Sequence, residues 1–150
     1  MDDEQPRRES GSVPNSFGNK LARTWAPQLP RPLTGGFLTL LYVLRAMASA
    51  DGRLRYERDG APITIGQIAG ACRSDQKDVR LYLKAAQAAG VVTVVKDANG
   101  RGATRGKATM YALVLTPWPD WNAAACIVWV ASQIKAEQRA AKAARKTART

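Results

Sequence analysis

The chain has 150 residues, enough for one domain with a modest core and tails. It carries 23 Lys and Arg against 12 Asp and Glu, a net charge of +11 with an isoelectric point near 10.3, which points toward a polyanion, either nucleic acid or an anionic membrane surface. There is no His, and Cys72 and Cys126 lie far apart, so the commonest general base and an ordinary structural zinc site are both missing from the composition.

Residues 1 to 33 lack apolar periodicity, and "MDDEQPRRESGSVPNSFGNK" has the polar, Gly/Ser/Pro-containing composition of a disordered arm. No apolar segment near Met1 resembles a secretory signal. The prolines of "WAPQLPRPL" favour an extended path from which Trp25 and Leu29 dock on the domain. The folded part is expected to begin at Thr34, a helix-capping residue type, followed by Phe37, Leu40, Leu41, Leu44 and Ala48 on one helical face and a stop at Asp51-Gly52. In "RLRYERDGAPITI", Leu54 and Tyr56 alternate with charges before the Asp59-Gly60 turn signal, so a short strand or small hairpin is expected.

Thr64 suits an N-cap for a short helix from Ile65 to about Ala71, with Ile65, Ile68 and Ala69 on its apolar side. "CRSD" is a turn, and Ser74 or Asp75 caps a third helix whose inward face is Val79, Tyr82, Leu83 and Ala86. Gly90 falls where a left-handed C-terminal residue belongs. Val91 to Val95 and Ala108 to Leu115 read as two strands joined by the cationic, Gly-rich "KDANGRGATRGK", a hairpin with a long tip. Asp120 then caps a helix in which Trp121, Ala124, Ala125, Ile127, Val128, Ala131 and Ile134 leave little polar surface, so that helix needs a partner. The longest apolar run, Ala123 to Ala131, is well short of the ~20 residues a membrane span needs. The expectation is a cytoplasmic protein with reduced thiols and no membrane partner.

The segment "ITIGQIAGACRSDQKDVRLYLKAAQAAGVVTVV" resembles the winged helix-turn-helix family, in the style of MarR-like regulators and plasmid replication initiators. The likeness rests on Thr64, Ile68 and Ala69, the polar turn, and Val79, Tyr82, Leu83 and Ala86 placed 11, 8, 7 and 4 residues before Gly90. Ala86 stands where Leu is usual, and Gly66 lies inside the second helix. The resemblance covers Thr34 to Leu115. It implies an α+β fold: a winged helix-turn-helix of three helices plus a β-hairpin wing over 34–116, here with an added C-terminal helix and basic tail over 117–150.

A duplex major groove admits one α-helix, which needs an apolar side against its own domain and cations and amides toward the groove, concentrated near its N-terminus. Gln76, Lys77, Arg80, Lys84 and Gln87 occupy that outward side, with Arg73 and Ser74 at the entry. Arg matches two guanine acceptors and Gln matches adenine. Gln76, Lys77 and Arg80 are therefore candidates for base edges, and Arg73, Ser74 and Lys84 for phosphates. A solvated helix face carries the same residue types, but Thr34 to Thr116 holds 12 Lys and Arg against 6 Asp and Glu. Arg101, Arg105 and Lys107 match a family wing that lies along phosphates or enters the minor groove. "GRGATRGKA" imitates a P-loop, but Arg101 stands where its first Gly belongs and Ala108 where Ser or Thr would hold magnesium.

Lys135, Arg139, Lys142, Lys146 and Arg149, spaced 4, 3, 4 and 3, form one stripe on a continuous helix. That stripe suits a DNA backbone, an acidic lipid surface or an acidic protein, and a frayed solubilising end is the plain alternative. Winged-helix dimers often pair through terminal helices, which makes Trp121, Val128 and Trp129 candidates for a homodimer interface. Cys72 reads as a small buried residue, with oxidation sensing as the alternative. No clustered carboxylates or base–nucleophile pair suggest an enzyme, and no cofactor is called for. The sequence thus leads to a double-stranded DNA-binding protein acting by site occupancy as a transcription regulator. The alternatives are a plasmid or phage replication or maintenance protein on origin repeats, or a winged-helix adaptor that binds proteins.

Overall fold

A computed structural model describes residues 12–56, 58–96 and 109–148. The protein is α+β and mostly helical, with a two-stranded antiparallel hairpin.

Folding begins well before Thr34. Helix α1, Val13–Lys20, starts at Ser12, whose hydroxyl accepts from the Asn15 N–H at 3.3 Å. It runs on through a π-helical turn, Leu21–Trp25, and a further α-helical turn, Ala26–Gln28, before the 3-10 turn Arg31–Leu33. Phe17, Leu21, Trp25, Leu29 and Leu33 recur every four residues, and all five are buried. An α-helix would drift past a strict four-residue repeat. The wider π turn, in which the Ala26 N–H donates to the Leu21 carbonyl, keeps Leu21 and Trp25 on the core side. The expected disordered or extended arm over 1–33 is therefore corrected for 12–33, which is part of the core. Its first eleven residues lie outside the described residues.

Helix α2, Gly36–Met47, buries Phe37, Leu40, Leu41 and Leu44. Thr34 does not cap it: its hydroxyl donates back to the Arg31 carbonyl at 2.8 Å, and Gly35 takes the cap position. The helix ends four residues before Asp51. Asp51 organises the turn that follows, accepting from the Ser49 hydroxyl, the Arg53 N–H and the Arg55 guanidinium. The Ser49 hydrogen bond leads in holding the Asp51 carboxyl below its usual range, with the Arg53 N–H and the Arg55 and Arg53 charges adding to it against a burial penalty.

Helix α3, Ile65–Cys72, opens with a reciprocal capping box: Thr64 Oγ1 accepts from the Gln67 N–H, and the Thr64 N–H donates to Gln67 Oε1 at 2.9 Å. After the turn Arg73 to Asp75, helix α4 spans Gln76–Ala89, capped by Asp75, which accepts from the Asp78 N–H at 2.8 Å. Gly90 ends it at φ 87°, the left-handed geometry glycine tolerates. Strands β1, Val92–Val94, and β2, Tyr111–Leu113, pair antiparallel with Thr93 opposite Ala112. The segment Gly52 to Arg55 joins the other edge of β2: the Leu54 N–H donates to the Tyr111 carbonyl and the Leu113 N–H to the Gly52 carbonyl, both at 2.8 Å. Its turn at Asp59-Gly60 brings Arg55 opposite Pro62, so the expected small hairpin is present.

Helix α5, Trp121–Ala148, is the longest, and Asp120 caps it by accepting from the Ala123 N–H at 3.0 Å. It packs mainly along α4 and also on the Arg31–Leu33 turn. A chain of edge-to-face rings runs from Phe17 through Trp25 and Trp121 to Phe37 and on to Tyr82. It ties α1, α5, α2 and α4 into one core, so residues 34–116 do not form a unit separate from their flanks. Among the described residues no helix is long and apolar enough to cross a membrane.

Candidate nucleic-acid interface

Two constraints fix how α4 is presented. On the core side Val79, Leu83, Ala85, Ala86 and Ala89 are buried. Tyr82 turns its ring against Phe37 and over Gly36, where a Cβ would lie 2.8 Å from it, so a side chain at 36 would push the Tyr82 ring aside. On its flank α4 meets α5, which runs antiparallel to it: the Asp120 N–H donates to the Ala89 carbonyl at one end, and Lys135 and Gln138 line one groove with Lys77 and Asp78 at the other. Only one strip of α4 is left to solvent. Gln76, Lys77, Arg80, Lys84 and Gln87 occupy it, and all five are exposed.

The strip is partly organised. The Arg80 guanidinium donates to Gln76 Oε1 at 3.2 Å, one turn away. That contact uses one of five guanidinium donors, and the Gln76 amide nitrogen lies beside α3, 3.3 Å from where a Cβ on Gly66 would stand. Among the described residues the ion pairs are those of Asp51 with Arg53 and Arg55, and none involves α4. Burial pushes the Tyr111 phenol up, and the charge of Arg80 opposes it. Burial likewise leads in raising Tyr82, with Asp78 and Asp75 adding to it.

Arg73 has φ 53° and ψ 45°, the one non-glycine residue among those described with positive φ. It caps α3 in a left-handed conformation that costs an L side chain about 1–2 kcal/mol. Its side chain is exposed and Ser74 is half-buried, with the Ser74 N–H donating to the Ala69 carbonyl at 3.0 Å. Six expected residues, Arg73, Ser74, Gln76, Lys77, Arg80 and Lys84, are thus gathered at one end and along one strip. Arg101, Arg105 and Lys107 lie outside the described residues.

Of the expected dimer residues, Trp121 and Val128 are buried in the monomer's own core and cannot face a second copy. Trp129 is 55% exposed, whereas the partly exposed Val130 and Ile134 line a groove with Leu81 and Lys84 of α4. Sequence reasoning did not single out Trp118, which is 86% exposed between Pro117 and Pro119 at the far end of α4 from the cations. Its only sequence signal was the paired prolines. Cys72 is half-buried, and burial pushes its thiol up, away from the reactive thiolate. Among the described residues no three His, Cys, Asp or Glu side chains gather as a metal site would require.

Set against protein-family models, curated proteins and solved structures, the chain matches none.

Proposed function

We propose that the protein binds double-stranded DNA in a sequence-specific way, with α4 as the helix that enters the major groove. The supporting observation is the exposed strip Gln76/Lys77/Arg80/Lys84/Gln87 on a helix whose opposite side, Val79, Leu83, Ala85, Ala86 and Ala89, is buried. A helix presented edge-on, with its amide and guanidinium donors near the N-terminus, fits the groove-reading geometry. Arg80 offers paired donors to guanine O6 and N7, and Gln76 suits adenine. Arg73 and Lys84 meet phosphates to either side. The three-segment order of Gly52–Arg55, β2 and β1 beside the helix is compatible with a winged helix, whose wing would be the β1–β2 hairpin. Binding by site occupancy makes the protein a transcription regulator; a footprint over iterated repeats rather than a single promoter site would make it a replication or maintenance protein instead.

The test is the salt dependence of duplex binding. With 6–10 phosphate contacts, affinity should fall by about three to five decades between 50 and 200 mM salt. An affinity indifferent to salt would remove the phosphate contacts on which the reading depends.

A further inference from the structure

The Asp120 N–H, donating to the Ala89 carbonyl, closes one end of the α4–α5 pair. Toward the other end the two helices leave a groove of about 330 Å³ between them. That volume falls at the lower end of the range in which proteins hold small organic ligands. Its apolar lining is mostly aliphatic: Leu81 and the Tyr82 ring from α4, and Val128, Ala131 and Ile134 from α5. Val128 is buried, whereas Ile134 is 50% exposed. An apolar wall left wet gains from an occupant that covers it.

The charged members of the lining are Lys77, Asp78 and Lys135, and among the described residues none of the three forms an ion pair. Asp78 stands in the first turn of α4, where a carboxylate answers the positive end of the helix dipole. The two lysines therefore carry the uncompensated charge of the groove, and the balance of one positive charge matches a single anion. The apolar lining does not stop at the groove. Leu81, Ala131 and Ile134 also line a neighbouring groove of about 300 Å³ with Cys126, Ile127 and Val130, where Lys84 is the one charged side chain. A chain-like body passes from the one onto the other over shared apolar surface, which a compact ring would leave bare.

We propose that the groove between α4 and α5 binds a small amphipathic acid, an unbranched alkyl carboxylate whose chain lies on Leu81, Ala131 and Ile134 and whose headgroup is held by Lys77 and Lys135. Burial of methylenes supplies most of the affinity, and the lysines supply the choice of charge, since an exposed ion pair is worth little beside several buried methylenes. The site needs no duplex and is independent of the reading of α4 given above.

The experiment is titration of the isotope-labelled full chain with sodium decanoate below its micellar range, followed by amide chemical shifts. Decanoate should saturate a single site, with the largest shifts around Leu81 and from Val128 to Lys135. Decyltrimethylammonium, the same chain with the opposite charge, should bind about tenfold or more weakly, and acetate, the same headgroup without the chain, should not saturate. Lys135→Gln should weaken decanoate by about three- to fivefold, the worth of one exposed charge pair. Ser132→Trp, at an exposed position lining the groove, should fill it and abolish binding. Lys142→Gln, one turn beyond the groove, should bind as the parent does. Circular dichroism checks that each variant folds; if Ser132→Trp does not, Lys135→Gln and the decyl cation decide. No saturable binding of decanoate, shifts centred elsewhere, equal affinity for the decyl cation, or a folded Ser132→Trp that binds like the parent would each overturn the site.

Discussion

At position 73 the chain keeps an arginine in left-handed backbone where glycine would fit without strain. Replacing it separates stability from binding. Arg73→Gly relieves ~1–2 kcal/mol of strain but adds the unfolded-chain freedom of glycine, ~0.5–1 kcal/mol, so the variant should be more stable by up to about 1.5 kcal/mol in denaturant melts. The same variant should bind duplex more weakly, and to a similar degree for all sequences, because a phosphate contact is lost. A variant neither stabilised nor weakened in binding would leave the strained arginine without a role. Arg80→Ala should behave differently, relaxing the choice of base at one position and costing ~1–3 kcal/mol against the preferred site, read by competition between single-base variants of the duplex.

Among the elements, α1 contributes most that was unforeseen. Leu21 is fully buried in its π turn, beside exposed Arg23. Leu21→Ala should destabilise the protein by about 2–5 kcal/mol, lowering Tm by roughly 5–15 °C, whereas Arg23→Ala should stay within about 0.5 kcal/mol. Equal, negligible effects would mean that 12–33 is not part of the core. The helix was hidden for a physical reason. Its apolar residues step by four throughout, slower than the 3.6-residue period, and they are diluted by Pro14, Pro27, Pro30 and Pro32. The π turn at Leu21–Trp25 and the 3-10 turn at Arg31–Leu33 make such a spacing one-sided. In contrast α3 and α4 were legible almost to the residue, because Thr64, Gln67, Asp75 and Gly90 mark their ends by local chemistry that needs no tertiary context. The candidate strip on α4 was legible for the same reason: burial of Val79 and Leu83 fixes the phase of everything between them. The partner of α5 was not legible. Its apolar stripe announces that it packs, but nothing local states that Trp121 and Val128 face α4 and the ring chain rather than a second copy.

For the molecule as a whole, the packing of α5 along α4 has two consequences. It narrows the exposed part of α4, and it brings Lys135 into one groove with Lys77 at that helix's leading end. A net charge of +11 then has a direction as well as a size. The most direct measurement is repeated selection of bound duplexes from a random pool by the full chain at 0.1 M salt. If α4 reads a groove, one recurring site emerges, with guanine or adenine enriched at adjacent positions that Arg80 and Gln76 specify. A pool that stays random through successive rounds, with binding retained, would contradict it.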